Sequence, residues 1–413
     1  MNITTAEILK AKNNFKNFIP TTSLEYSERL SNKYQAEIYL KREDQQPIRS
    51  YKIRWSFHFI SNLSKKQKEK WVVCASAGNH AQGVALTCNK LQIKWAIFMP
   101  KTTPEQKVYK TRKFWWDYID IFLTGDNFDE AYSEARNYEE ENKATFIHPF
   151  DNEQIITGQA TVWLEIDNQK PKDIDYIISP VGWGGLISWI ISYKKNVSPK
   201  TQIIWIEPEN AAAMKASLEK QENTTLEKID TFVDWASLKR VGEKTFNICK
   251  DYQLDIRTVP ENRICSSILE FLREDGIVVE PAWAMSVDAL KDMKEEIKWK
   301  TIVCVLSWSN FDFDRLPEIK ERSLKYEWFK RYMIVSFPQR PGALKEFLSV
   351  LWENDDITRF EYLKKTNKER APVFLGIETD NPDNFSSIFQ KMDQMWFKHK
   401  DITYDEFYFD LLI

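Results

Sequence analysis

The sequence predicts an α/β protein built from two parallel-sheet blocks in succession, closed by a small α+β module of ferredoxin-like type. Three observations predict it. From Glu37 to Phe150, short β-branched runs alternate with longer amphipathic stretches, the rhythm of βαβ units. The rhythm resumes from Ile174 and runs to Asn310. Beyond residue 326 the order becomes β, α, β, β, α, β, which suggests a ligand-sensing module.

In order, AEIYLK is a strand, YKIRWSFHFISNLSKK a helix, WVVCAS a strand, NHAQGVALTCNKL a helix and KWAIFMP a strand. TPEQKVYKTRKF, DYIDIFLTG, FDEAYSEARNYEEEN and TFIHPF continue as helix, strand, helix and strand, with Thr103 and Asp126 placed as caps. The second block reads IDYIISPV (strand), GGLISWIISYKKN (helix), TQIIWIEPE (strand), AAAMKASLEKQ and MSVDALKDMKEEI (helices) and TIVCVLSWSN (strand). A charged helix, EIKERSLKYEWFKRY, leads into the last module, which closes on ITYDEFYFDLLI as its final strand. The domains expected are 1–325, with a smaller subdomain over about 50–150, and 326–413.

The chain has 413 residues, 43% hydrophobic and 29% charged, which fits a globular protein of more than one domain. With 58 Lys+Arg against 61 Asp+Glu, the net charge is -3, and no basic block is long enough to track a phosphate backbone. No nucleic-acid partner is expected. The N-terminus lacks the apolar core of a secretory signal and no apolar run is long enough to span a bilayer, so a cytoplasmic protein without a membrane partner is expected. Cys74, Cys88, Cys249, Cys265 and Cys304 are odd in number and widely spaced, which predicts free buried thiols. His58, His80, His148 and His399 form no ligand-spaced pair, so no metal is expected.

Ligands of such sheets bind beyond the carboxyl ends of strands, so the loops after Ser76, Val181 and Leu306 are the places for chemistry. Lys52 stands at a strand-to-helix junction, where a partly desolvated amine can be unprotonated and nucleophilic. By itself such a lysine is an ordinary surface charge. Ser76, Ala77, Gly78 and Asn79 open a helix after a buried strand, and free backbone N–H groups there suit an anion. Capping alone also explains Asn79. Gly182, Trp183, Gly184 and Gly185 lie in another strand-to-helix loop, where successive glycines let N–H groups converge on a phosphate. Trp183 breaks that logic by its bulk. Ser307 ends the last strand of the second block, as a ligand hydroxyl or a plain turn residue.

The order of these elements resembles the threonine dehydratase (threonine deaminase) family of fold-type II pyridoxal-phosphate enzymes, through KRED, SYK, CASAGNHAQGVA, FMPKTTPEQKV, LTGDNFDEA, TFIHPFDN and GIVVEPA. FPQRPGALKEFL and DDITRFEYLKKTNKERAP resemble the short biosynthetic form with one C-terminal ACT-like regulatory domain. The resemblance implies pyridoxal 5'-phosphate carried on Lys52, with Asn79 on its 3-hydroxyl, Gly182, Trp183, Gly184 and Gly185 around its phosphate, and Ser307 at the pyridine nitrogen. It implies that Ser76 to Asn79 grip the substrate carboxylate and that Glu280 stands near the cofactor rim. The implied reaction is β-elimination of L-threonine to 2-oxobutanoate and ammonia, under control of isoleucine or valine, in a homotetramer. A serine/threonine ammonia-lyase of broader specificity is the near alternative.

One pair of counts stands apart. Glycine at the usual share of about 7% would number about 29, whereas the chain has 11, with 16 tryptophans. Trp55, Trp71, Trp95, Trp115, Trp183, Trp189, Trp235, Trp283, Trp299, Trp308, Trp328 and Trp352 stand where the family pattern has glycine, and Trp116, Trp163, Trp205 and Trp396 at small or variable positions. In-frame UGA codons decoded as glycine by the source cell, but written as tryptophan, account for this. Taken literally, each such insertion into a packed region costs about 1–3 kcal/mol, and the chain would be a cofactor-free amino-acid-binding protein.

Overall fold

The computed structural model describes residues 4–15, 18–114, 119–148, 153–182, 200–234, 236–252, 254–307, 309–364, 368–405 and 407–408. The chain divides into two compact units, Met1–Glu261 with Asp275–Phe311, and Asn262–Glu274 with Asp312–Ile413. No helix among the described residues is long and apolar enough to cross a membrane.

The first unit holds two sheets. The larger is built from β1 (Leu24–Tyr26), β2 (Glu37–Arg42), β7 (Tyr176–Pro180), β8 (Gln202–Pro208), β9 (Asp255–Val259) and β10 (Thr301–Leu306), in the order β1-β2-β10-β7-β8-β9. All its pairings are parallel except β1 with β2. The smaller, β5-β4-β3-β6, comprises β3 (Val72–Ala75), β4 (Trp95–Met99), β5 (Ile119–Leu123) and β6 (Thr145–Phe146), and is parallel throughout. Every residue of β3, β4, β7 and β10 is buried, as expected of parallel strands covered on both faces. Because β2, β10 and β7 are parallel neighbours, the segments after Arg42, Leu306 and Pro180 leave the sheet at the same carboxyl edge.

The Lys52–Ser61 helix packs against the helices Asn79–Leu91 and Glu153–Gln169. Gly83 makes the first of these approaches feasible, since a Cβ there would fall 2.8 Å from Ser56 Oγ. A fully buried ion network braces the second: Arg54 bonds both oxygens of Glu43 and both oxygens of Glu165, each at 2.7–2.8 Å. Lys41, also fully buried, adds a second cation on Glu165 at 2.8 Å.

The second unit carries β11 (Lys330–Pro338), β12 (Asp356–Tyr362), β13 (Arg370–Glu378) and β14 (His399–Asp401), with helices Ala343–Leu348 and Asn384–Gln394 between them. The chain order is thus βαββαβ and the sheet order β12-β13-β11-β14, antiparallel at each pairing, which is the ferredoxin-like arrangement. Met333, Val335 and Phe337 alternate along β11 into a core shared with Phe347, Leu375, Ile388 and Phe397.

Several expectations differ from the structure in detail. The helix Phe128–Asn142 is capped by Asn127, whose side chain accepts the Glu130 N–H, and not by Asp126. Pro104, not Thr103, precedes the first turn of Glu105–Arg112. Among the described residues the last strand is His399–Asp401; of the ITYDEFYFDLLI segment, residues 402–405 and 407–408 are not strand, and 406 and 409–413 lie outside the described residues. The helix expected at GGLISWIISYKKN lies outside the described residues, as do Trp183, Gly184, Gly185, Trp189, Trp235 and Trp308. All five cysteines are buried and none is in a disulfide among the described residues.

Candidate active site

Lys52 is the first residue of its helix, and its side chain is almost wholly withdrawn from water, at 6% exposure. Burial lowers its ammonium to about 8, against the opposing pull of Glu280's negative charge. An appreciable share of the amine is therefore neutral near physiological pH. The preceding residue ties this helix to the last strand of the large sheet, since the Tyr51 N–H donates to the Ser307 carbonyl at 3.0 Å.

Ser307, directly after β10, is fully buried, and its hydroxyl has no hydrogen-bond partner among the described residues. A buried hydroxyl left unpaired costs free energy, so this one is poised for a group the chain does not supply. A ring nitrogen would meet that need.

Ser76, Gly78 and Asn79 are buried and Ala77 partly so, at the mouth of β3. Ser76 Oγ accepts the Gly78 N–H at 3.1 Å, which shapes the turn. The helix cap is Gly78, with no side-chain cap bond, so Asn79 is not a cap: it is the first helical residue and its amide serves elsewhere. The first-turn N–H groups of this helix, which lack intrahelical acceptors, face the same end.

Glu280 precedes the helix Pro281–Asp288 and is buried to 8% exposure. Burial raises its carboxyl to about 7, and a hydrogen bond from the Asn310 backbone N–H, at 2.5 Å, opposes that rise. His80, beside Asn79, is neutral because burial and the nearby Lys52 charge push its pKa well down. Its Nε2 therefore donates to the Ile147 carbonyl, 3.1 Å away.

The structure thus gathers Lys52, Ser307, Asn79 and Glu280 through short links. Gly182 follows β7 at the same carboxyl edge as Ser307, whereas the rest of its loop lies outside the described residues. Sequence reasoning missed Asn310, which touches both Asn79 and Glu280. Its position shortly after the Ser307 strand end, within a polar loop, was the available signal.

Comparison with known proteins agrees with this geometry. A family model described as "Pyridoxal-phosphate dependent enzyme" matches residues 16–307, and one described as "C-terminal regulatory domain of Threonine dehydratase" matches residues 321–412. The chain is 49% identical over 408 residues to the L-threonine dehydratase biosynthetic IlvA of Halalkalibacterium halodurans, covering 98% of each chain. It is 48% identical over 407 residues to the protein of the same name from Bacillus subtilis, covering 98% of this chain and 96% of that one. Among solved structures, the processed form of threonine deaminase isoform 2 from Solanum lycopersicum superposes with a TM-score of 0.72 at 34% identity, over 78% of this chain and 95% of that chain. Maize serine racemase does so with a TM-score of 0.71 at 26% identity, over 79% of this chain and 99% of that chain.

Proposed function

The chain belongs to the threonine dehydratase family of pyridoxal-phosphate dependent enzymes, and from that premise we propose which of its residues carry the reaction. The reaction is the β-elimination of L-threonine to 2-oxobutanoate and ammonia in isoleucine biosynthesis, with a C-terminal regulatory domain for allosteric control. The single observation that carries the residue assignment is the pairing of a buried, easily deprotonated Lys52 with the fully buried hydroxyl of Ser307, which has no partner among the described residues. Both fit the cofactor: one as the amine that holds its aldehyde carbon, the other as the group facing its ring nitrogen.

When bound, pyridoxal phosphate acidifies the substrate Cα–H bond by drawing its electron pair toward the ring. With the cofactor bound, Lys52 would serve as the general base at the substrate Cα, and its lowered pKa keeps it competent near neutrality. Asn79 would bind the cofactor's 3-hydroxyl, and Gly182, Gly184 and Gly185 would hold its phosphate. Ser76, Ala77, Gly78 and Asn79 hold the substrate carboxylate at their helix N-terminus, which fixes the Cα–H bond toward Lys52. Ser307 is a neutral partner that leaves the ring nitrogen unprotonated, which favours loss of the β-hydroxyl over transamination. Glu280, itself buried, favours the charged form of Lys52.

The regulatory residues 326–413 bind isoleucine or valine, and the enzyme works as a cytoplasmic homotetramer. The assembly is read by light scattering. The residue assignment is tested by Lys52→Ala, which should abolish both 2-oxobutanoate release and visible cofactor absorbance; turnover retained in that variant removes Lys52 from the mechanism.

A further inference from the structure

We infer that Asn310 is a positioning residue that sets which way the Asn79 amide faces. This rests on the proposed role of Asn79 toward the cofactor. Asn310 Nδ2 donates to the Ile48 carbonyl at 2.8 Å and to Asn79 Oδ1, and lies 3.4 Å from Gln82 Oε1. A backbone carbonyl can only accept, so Ile48 fixes the Asn310 amide with its nitrogen on that side. That nitrogen then requires an acceptor from Asn79, which turns Asn79 Oδ1 toward Asn310. The other prong of the Asn79 amide, Nδ2, is left with donors alone. A ligand oxygen, such as the phenolic oxygen of the cofactor ring, is what those donors suit. The orientation thus runs from a main-chain group through two amides, with no titrating member.

The same residue pins a second site group, because the Asn310 N–H donates to Glu280 Oε1. A side-chain substitution leaves that N–H in place. Such a substitution removes the Ile48 contact together with the Asn79 one, and the double-mutant cycle isolates the part that runs through Asn79.

The test is a double-mutant cycle on the full-length chain. The apoprotein is titrated with pyridoxal phosphate, and binding is followed by visible absorbance, for the parent, Asn79→Ala, Asn310→Ala and the double variant. Asn310→Ala should weaken cofactor binding roughly three- to tenfold and add nothing further in the Asn79→Ala background. Asn310→Asp, of the same shape but without donors, should reproduce the loss and guards against misfolding of the alanine variant. Thermal unfolding of each apoprotein is read alongside. If affinity is unchanged while the apoprotein melts earlier, or if the losses simply add, Asn310 is structural and the proposal fails. If Asn79→Ala itself leaves the affinity untouched, the premise about Asn79 falls, and the proposal with it.

A separate set of observations carries a second inference: the geometry points to glycine, in the protein the source cell makes, at the positions written here as tryptophan. Trp328 and Trp396 occupy left-handed backbone at φ 65° and 60°. Each closes a helix in a Schellman arrangement, with Trp328 N–H to Lys325 O and Phe329 N–H to Leu324 O, and Trp396 N–H to Asp393 O and Phe397 N–H to Met392 O. Glycine is the usual occupant of that position, and a bulky residue there is an outlier. Trp299 is left-handed as well, at φ 63°.

The packed tryptophans point the same way. The indole nitrogens of Trp55, Trp95 and Trp205 are buried with no hydrogen-bond acceptor among the described residues, which glycine would not strand. Trp55 also lies at a helix crossing whose other side is Gly158, where backbones meet at a distance that suits small residues. One recoded codon, UGA, accounts for the 16 tryptophans and the 11 glycines together.

The gene and protein of the source cell decide it. UGA at these positions, with peptide masses of glycine across Trp299, Trp328 and Trp396, is the expected result. UGG codons, or UGA codons with tryptophan masses, overturn it.

Discussion

Gly158 faces Trp55 so closely that a Cβ built on Gly158 would lie 2.6 Å from the Trp55 Cα, with the Arg54 carbonyl at 3.0 Å. This contact sets the spacing between the Glu153–Gln169 helix and the helix that opens with Lys52. Gly158→Ala should therefore push the Lys52 helix aside at a cost of about 1–3 kcal/mol. Urea unfolding of the apoprotein measures the loss, and cofactor affinity should fall with it. An alanine variant as stable as the parent would show that the crossing has slack.

Burial brings the Lys52 ammonium from its ordinary 10.5 down to about 8, and Glu280's charge resists that fall. Only the neutral amine condenses with an aldehyde, so the rate of cofactor uptake by the apoprotein should rise with pH through about 8 and level off above it. Glu280→Gln removes the charge that favours the ammonium. Its midpoint should shift to lower pH. Stopped-flow absorbance across the pH range checks both, and a midpoint close to 10.5 in the parent would contradict the buried environment of Lys52.

The Glu43–Arg54–Glu165 network makes a prediction with a definite sign. Burial raises the Glu165 carboxyl, but Arg54, Lys41 and Lys12 more than reverse this and hold it down to about 2, against 4.5 unfolded. A depressed folded value means that the stabilisation is complete above 4.5 and is lost as pH falls toward about 2. Arg54→Met strands Glu43 beside a carboxylate that keeps only its lysines, at a cost of about 3–5 kcal/mol. Denaturant titrations at neutral and acid pH should show a less stable variant whose stability falls less steeply on the acid side. An unchanged slope would place the acid sensitivity elsewhere.

Removal of residues 326–413 should leave threonine dehydration in place while abolishing the response to isoleucine or valine. Assays of 2-oxobutanoate release with and without each amino acid settle this. A truncated enzyme still inhibited would put the effector site in the remaining chain.

Much of this fold was legible because parallel strands buried on both faces read as unbroken apolar runs, as VVCA, WAIFM, YIISP and TIVCVL do. β9, written DIRTV, carried too little apolar pattern to be found. Cap identity failed where Asp126 and Asn127 stand side by side, since backbone angles choose between neighbours of equal chemistry. The loops after strands pointed to Lys52, Asn79 and Ser307, while Glu280 came only through family likeness. Asn310 and the Arg54 network were missed for a common reason: their partners are far apart in sequence, at separations of 231 for Asn79 and 111 for Glu165.

The helix-closing tryptophans permit a prediction opposite to the usual cost of deleting a large side chain. Trp396 is 80% exposed, so replacing it forfeits little packing. Left-handed backbone costs a side-chain-bearing residue about 1–2 kcal/mol relative to glycine, while the freer unfolded chain of a glycine variant returns about 0.4–1 kcal/mol of that. Trp396→Gly should therefore stabilise the protein by up to about 1.5 kcal/mol. Trp396→Ala keeps the Cβ clash and should give no gain. Trp328 is only half exposed, and its ring lies over the Arg331 guanidinium at 3.8 Å, a contact of about 0.5–1 kcal/mol that glycine would forfeit. The gain at Trp328→Gly should accordingly be smaller than at Trp396→Gly. Urea midpoints of the three variants test the ordering, and a Trp396→Gly variant less stable than the alanine one would mean that the indole, not the backbone, governs this helix end.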